Sequence, residues 1–164
     1  MGVSGSGKTT VASLLAARLG WRLAEADEFH PPENVEKMRN AVPLTDEDRR
    51  PWLDAIARWI DGVRASGGRG VVTCSALKRS YRERLAGGRN DVRFVYLRGS
   101  YELIAGRIAK RKHAYMPPAL LRSQFDALEE PGSDEDALVV PITEPPEAIV
   151  ERIVAAFGLA GAPR

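Results

Sequence analysis

Residues 1–10, MGVSGSGKTT, match the pattern G-x-x-x-x-G-K-[ST] through Gly2, Gly7, Lys8 and Thr9, with Gly5 as a further glycine inside the loop. Such glycines let successive backbone N–H groups turn inward around phosphate oxygens. A helix starting near Lys8 aims the positive end of its dipole at the same place. In a loop of this kind Lys8 bridges the β- and γ-phosphates of a nucleotide and the Thr9 hydroxyl holds Mg²⁺. Gly2, Ser4, Gly5, Ser6, Gly7, Lys8, Thr9 and Thr10 are therefore the candidate nucleotide-binding residues. The same stretch also spells a myristoylation signal through Met1-Gly2 and Ser6. That reading uses only positions the phosphate loop already demands or permits. It would also chain to a lipid the backbone that must wrap a phosphate, and a lone myristoyl group anchors only marginally.

Outward from the loop, the chain alternates helices and strands. Val11, Leu14, Leu15 and Leu19 recur at helical spacing before Gly20, a residue suited to a left-handed cap. "WRLAEAD" reads as a short strand with an acidic end, "NVEKM" as a short helix, and Thr45 with Asp48 as a capping box. That box opens a long helix with Trp52, Ile56, Trp59, Ile60 and Val63 on one face and Pro51 as a possible kink in its second turn. "GVVTCS" is a continuous apolar run, as in a parallel strand covered on both faces. "SYRERLAGG" is helical, "VRFVYLRG" a strand, and "SYELIAGRIAKRK" a helix capped by Ser100. After the irregular "HAYMPP" come a helix in "PALLRSQFDAL", a last strand in "DALVVPI" and a closing helix marked by Ile149, Val150, Ile153, Val154 and Phe157. This alternation predicts an α/β, three-layer sandwich with a parallel sheet. In that architecture the strand before the phosphate loop lies mid-sheet, so residues upstream of Met1 carrying such a strand are expected to belong to the natural protein.

Composition narrows the class of function. With 164 residues the chain is most simply one domain, assigned to 1–158, with a short tail at 159–164 expected to fray. A formal charge of +2 calls for neither nucleic acid nor an anionic membrane surface. The single cysteine, Cys74, forms no intrachain disulfide and fits a reducing cytoplasm. No apolar stretch is long enough for a membrane span, and glycines and serines stand where a signal peptide needs apolar residues.

Two further features bear on chemistry. Glu25 and Asp27 lie one residue apart at the end of the second strand expected in the fold, where alternation would put both on one face. They would serve a metal and a substrate hydroxyl, and the alternative on spacing alone is a pair of solvated loop acids. Motor and switch nucleotidases carry an acid at the end of an apolar strand, whereas "VVTCS" ends without one and no N-K-x-D motif is present. In "RIAKRKH", Arg107 and Arg111 are four apart and share a helix face. A solvated helix end and a nucleic-acid patch are the alternatives. Beside a phosphate loop, these arginines fit a lid at about 111–118 that closes over a triphosphate and neutralises charge on the transferring phosphoryl group.

"GVSGSGKTT", "EADEFHP", "NVEKM", "PLTDEDRRPWL", "CSALKRSYRERL", "FVYLRG" and "QFDALEEP" follow one another in an order that resembles the gluconate kinases, P-loop small-molecule kinases related to shikimate and adenylate kinases. The resemblance runs from Gly2 to about Phe157. It implies transfer of the ATP γ-phosphoryl group to the 6-hydroxyl of D-gluconate, a five-stranded sheet in the order 2-3-1-4-5, a mobile lid, a cytoplasmic enzyme and a homodimer. On that model Lys8, Asp27, Arg107 and Arg111 are catalytic. Asp27 orients or deprotonates the hydroxyl, and Glu25 with Thr9 serves Mg²⁺, although an aspartate often stands where this chain has Glu25. His30, Lys37, Arg49, Lys78, Arg82 and Gln124 are the candidates for gripping the sugar acid, which needs a cation at its carboxylate and hydrogen bonds along its hydroxyls. Each also has a plainer reading as a loop, helix-surface or ion-pairing residue. "ITEPPE" would lie near adenine. The rival readings are the same chemistry on shikimate or a nucleoside monophosphate, and a nucleotide-binding regulatory module without catalysis, against which Lys8, Thr9, Asp27, Arg107 and Arg111 argue.

Overall fold

The computed structural model describes residues 1–40, 42–110 and 118–159. Arg111 and nearly all of the expected lid fall outside these residues, as does most of the tail.

Helix α1 (Lys8–Leu19) starts directly from the phosphate loop and ends at Gly20, whose left-handed backbone (φ 68°) lets its N–H reach the Ala16 carbonyl. Strand β1 (Arg22–Glu25) follows, then a 3₁₀ turn (Ala26–Phe29) and α2 (Pro32–Arg39). Helix α3 (Asp46–Ala65) opens with both arms of its capping box: Asp48 N donates to Thr45 Oγ1 and Thr45 N to Asp48 Oδ2. It runs as one helix through Pro51, which lies on its exposed side. Strand β2 (Gly70–Thr73), α4 (Arg79–Ala86), β3 (Val95–Arg98) and α5 (Tyr101–Ala109) continue the alternation. Ser100 caps α5 by accepting from Leu103 N. The described chain closes with α6 (Pro118–Ala127), β4 (Leu138–Pro141) and α7 (Pro146–Ala156).

The strands form two parallel pairs, β1 with β2 and β3 with β4, in registers that set Glu25 opposite Thr73 and Arg98 opposite Pro141. These are the 2-3 and 4-5 pairings of the expected order. The central fifth strand is not formed among the described residues. Met1 and Gly2 lie between the pairs instead: Leu97 N donates to Met1 O at 3.0 Å and Gly2 N to Ser75 O at 3.1 Å. The Met1 amino group is buried there, donates to Val95 O, and is pushed down to about 5, chiefly by loss of hydration.

Helices cover both faces. On one, α1, α5, α6 and α7 enclose Leu15, Leu97, Ile104, Leu121, Val140 and Ile153. On the other, α3 and α4 enclose Trp52, Ile56, Ile60, Cys74 and Leu85. Val71 packs into the first core and its neighbour Val72 into the second, as a strand covered on both sides requires.

Candidate active site

Sequence chemistry shapes the loop closely. Gly7 caps α1 with a left-handed backbone (φ 95°), and a Cβ there would meet nothing within 4 Å, so the space in front of the helix is open. A Cβ on Gly5 would come within 2.8 Å of Ile108, because α5 packs tightly beneath the crest of the loop. The first turn of α1 holds no acidic residue that would oppose an anion at its positive end. Lys8 folds back so that Nζ donates to the carbonyls of Gly2 and Val3, each at 3.0 Å. Ser6 is buried and its Oγ has no protein hydrogen-bond partner.

Glu25 ends β1 beside the loop. Its Oε2 accepts from Thr73 Oγ1 and, at a long 3.4 Å, from Thr9 Oγ1, whereas its buried Oε1 accepts nothing from the protein. Asp27 does not continue the strand alternation expected for it. β1 stops at Glu25, and Asp27 sits exposed in the 3₁₀ turn. The cause lies in α3: Trp52 is fully buried and its indole N–H donates to Ala26 O at 2.6 Å, which pulls the chain out of the strand.

Trp52 also places His30, whose ring stacks on the indole at 4.5 Å and 8°. Burial, reinforced by Arg49 and opposed by Asp27, holds the imidazole below its ordinary value, so it is neutral at pH 7. An open cleft of about 590 Å³ runs from His30 along α2, lined by Pro32, Val35, Glu36, Arg39 and Asn40. Lys37 binds Asp48 (2.7 and 2.9 Å) and Lys78 binds Asp46 (2.9 and 3.0 Å), two acids in the first turn of α3. Arg49 and Lys78 both lie against the Tyr81 ring, and the Tyr81 hydroxyl donates to Asp46. The structure thus gathers Arg49 and Lys78 around Tyr81 and sets Lys37 on the neighbouring acid.

Three other candidates are directed into the protein. Arg82 is 1% exposed and grips Glu135 through two hydrogen bonds (2.5 and 2.8 Å) while donating to the carbonyls of Ala76 and Leu77. Arg107 donates to Ile142 O, joining α5 to the "ITEPPE" segment. Gln124 bonds to Ser4 of the phosphate loop.

The chain is similar to known proteins in sequence and fold. A family model described as an AAA domain matches residues 1–118. The gluconokinase of Gluconobacter oxydans (strain 621H) is 47% identical over 96% of this chain and 88% of its own. The chain belongs to the gluconokinase family. Among solved structures, a gluconokinase from Sinorhizobium meliloti 1021 superimposes with a TM-score of 0.86 at 42% identity, covering 96% of this chain and 89% of that one. A sugar kinase from Janibacter sp. HTCC2649 does so with 0.90 at 47% identity, over 98% and 92%. The fold is therefore the P-loop kinase fold, and the loop is a nucleotide-binding loop.

Three residues that contact the sequence candidates, Thr73, Tyr81 and Asp46, are not among them. Thr73 meets Glu25 only because β1 and β2 pair in a register that no local pattern displays. Tyr81 and Asp46 come from α4 and α3 and meet through tertiary packing.

Proposed function

We propose that the protein transfers the γ-phosphoryl group of ATP to the 6-hydroxyl of D-gluconate, giving 6-phosphogluconate and ADP, within one kinase domain spanning 1–158. The observation that carries this reading is an intact loop, with Lys8 folded onto its carbonyls and Thr9 beside the Glu25 carboxylate, in a chain of the gluconokinase family. Loop N–H groups and the α1 dipole hold the phosphates, and Lys8 turns from its own loop carbonyls to the β- and γ-phosphates. Asp27, on the exposed turn that follows β1, takes the proton of the attacking hydroxyl. As that oxygen bonds to the γ-phosphorus, the bond to the bridging oxygen breaks and ADP leaves. Arg107, once released from Ile142 O, and Arg111 would offset the charge on the transferring group.

The oxygen donors of Thr9 and Glu25 suit Mg²⁺, which binds through one or two carboxylates plus substrate phosphates and keeps several waters. The unpartnered Glu25 Oε1 is the atom free to meet it or its water. Mg²⁺ would supply charge neutralisation between the β- and γ-phosphates.

His30, Lys37, Arg49 and Lys78 would bind the sugar acid, with the cations exchanging Asp46 and Asp48 for the substrate carboxylate. Arg82 serves as an internal brace under the "CSALK" turn. A cytoplasmic setting accords with the lone Cys74, buried and with its thiol pushed up to about 11 by loss of hydration. No helix among the described residues is long and apolar enough to cross a membrane. ADP release from ATP and Mg²⁺ with gluconate, shikimate and AMP in parallel tests the assignment. Release is expected with gluconate, and turnover of another acceptor in its place would overturn it.

A further inference from the structure

Gln124 lies 120 residues from the phosphate loop in sequence, yet both ends of its side-chain amide bond to one loop residue. Its Oε1 accepts from Ser4 N at 2.7 Å and its Nε2 donates to Ser4 Oγ at 3.1 Å. A planar amide engaged at both ends fixes its partner's position and orientation, which a single hydrogen bond does not. The need for such a grip follows from the loop itself. Gly2, Gly5 and Gly7 all have positive φ, so the backbone on either side of Ser4 is chosen from a wide range of conformations. Val3 and Ser6 are buried, and Gly5 rests on Ile104 and Ile108, which leaves Ser4 as the crest residue that needs an outside hold.

Gln124 is well placed to provide one because α6 is itself anchored. Leu121, one turn before it on the same face, is 2% exposed in the core. Phe125 meets the Tyr101 ring of α5 edge-on at 5.7 Å, and the Arg122 guanidinium lies 3.8 Å above the same ring. Just past α6, Glu129 N donates to Leu77 O at 2.8 Å and Glu129 Oε2 accepts from Arg79 N at 2.7 Å. One helix and its following turn therefore bind the phosphate loop at one point and the "CSALK" turn at another.

We propose that Gln124 is a positioning residue for the nucleotide: it fixes the Ser4 peptide so that the phosphate loop is held in its phosphate-accepting shape before ATP arrives. It acts through Ser4 and does not bind the acceptor. The inference rests on the nucleotide-binding loop, and its test needs no acceptor, so it stands or falls separately from the gluconate assignment.

The test is calorimetric titration of ATP into the full chain and into Gln124→Met, Ser4→Ala and the double variant, with KM for each substrate, kcat and thermal melts in parallel. Methionine keeps the length and helix preference of glutamine and removes both hydrogen bonds, worth together about a tenfold effect. The expected result is an ATP dissociation constant raised about tenfold in Gln124→Met, a smaller rise in Ser4→Ala, and no further rise in the double variant. KM for gluconate should stay within about twofold of the parent. A raised KM for gluconate with unchanged ATP affinity would make Gln124 an acceptor contact and overturn the proposal, as would unchanged ATP affinity alone. Should Gln124→Met fail to fold, Gln124→Ala carries the test: a rise of about tenfold in the ATP dissociation constant supports the proposal and no rise overturns it.

Discussion

The phosphate loop and the acceptor region solve opposite problems. The loop is assembled from nine consecutive residues and a helix start, and its shape is already fixed: Gly5 on Ile108, Gly7 capping α1, Ser4 in the grip of Gln124. The acceptor region draws on α2, α3, α4 and the turns before them, and its cations are satisfied internally, Lys37 by Asp48 and Lys78 by Asp46. A loop that receives the same triphosphate each time can be preorganised. On the proposed assignment, a site for a charged, flexible acid would hold its cations on its own carboxylates until the substrate replaced them.

The sharpest contrast is expected from Lys8→Ala, which removes the one side-chain cation built into the loop. Turnover should fall by at least about a thousandfold with the thermal melt nearly unchanged, measured as ADP release. A loss below tenfold would mean that the loop is not the phosphate site. Next in size is Glu135→Ala, which leaves the Arg82 guanidinium buried without its carboxylate and should cost about 3 to 5 kcal/mol in denaturant unfolding. If the cost is below about 1 kcal/mol, Arg82 is not an internal brace and returns to the acceptor candidates. Thr73→Val leaves Glu25 Oε2 without its nearest donor and should weaken Mg²⁺ activation by about ten- to a hundredfold, with Thr73→Ser restoring it. Equal behaviour of Val and Ser would detach Thr73 from the metal.

The acceptor half should respond mildly. Asp46→Asn removes an exposed carboxylate that competes for the half-buried Lys78, so KM for gluconate should fall by up to about fivefold with little change in stability. A rise in KM would show that Asp46 holds Lys78 in place. For His30 the folded value lies below the unfolded one, so the unfolded chain binds more protons in this range. Its contribution to stability is complete above the ordinary value near 6.5 and is lost as pH falls through the lowered folded value. The melting temperature of the parent should therefore drop more steeply on acidification than that of His30→Gln.

Legibility followed the same division. The loop, α1, its Gly20 cap and the Thr45–Asp48 box were readable because each is set by residues a few positions apart. The parallel sheet followed from alternation, and the 2-3 and 4-5 pairings from the family resemblance alone. Asp27 was misplaced onto the strand because the force that ends β1 at Glu25 comes from Trp52, 27 residues later. Arg82 and Gln124 carry motifs suggestive of a substrate site, and only packing shows that one faces Glu135 and the other Ser4. Polar residues directed inward look the same in sequence as polar residues directed at a ligand.

The central claim is tested most directly by ³¹P NMR of the product formed from ATP, Mg²⁺ and D-gluconate by the purified protein. The account predicts stoichiometric ADP and a single phosphomonoester whose coupling to two protons places it on the C6 methylene. ADP without a sugar phosphoester, or a phosphoester on a secondary carbon, would contradict it.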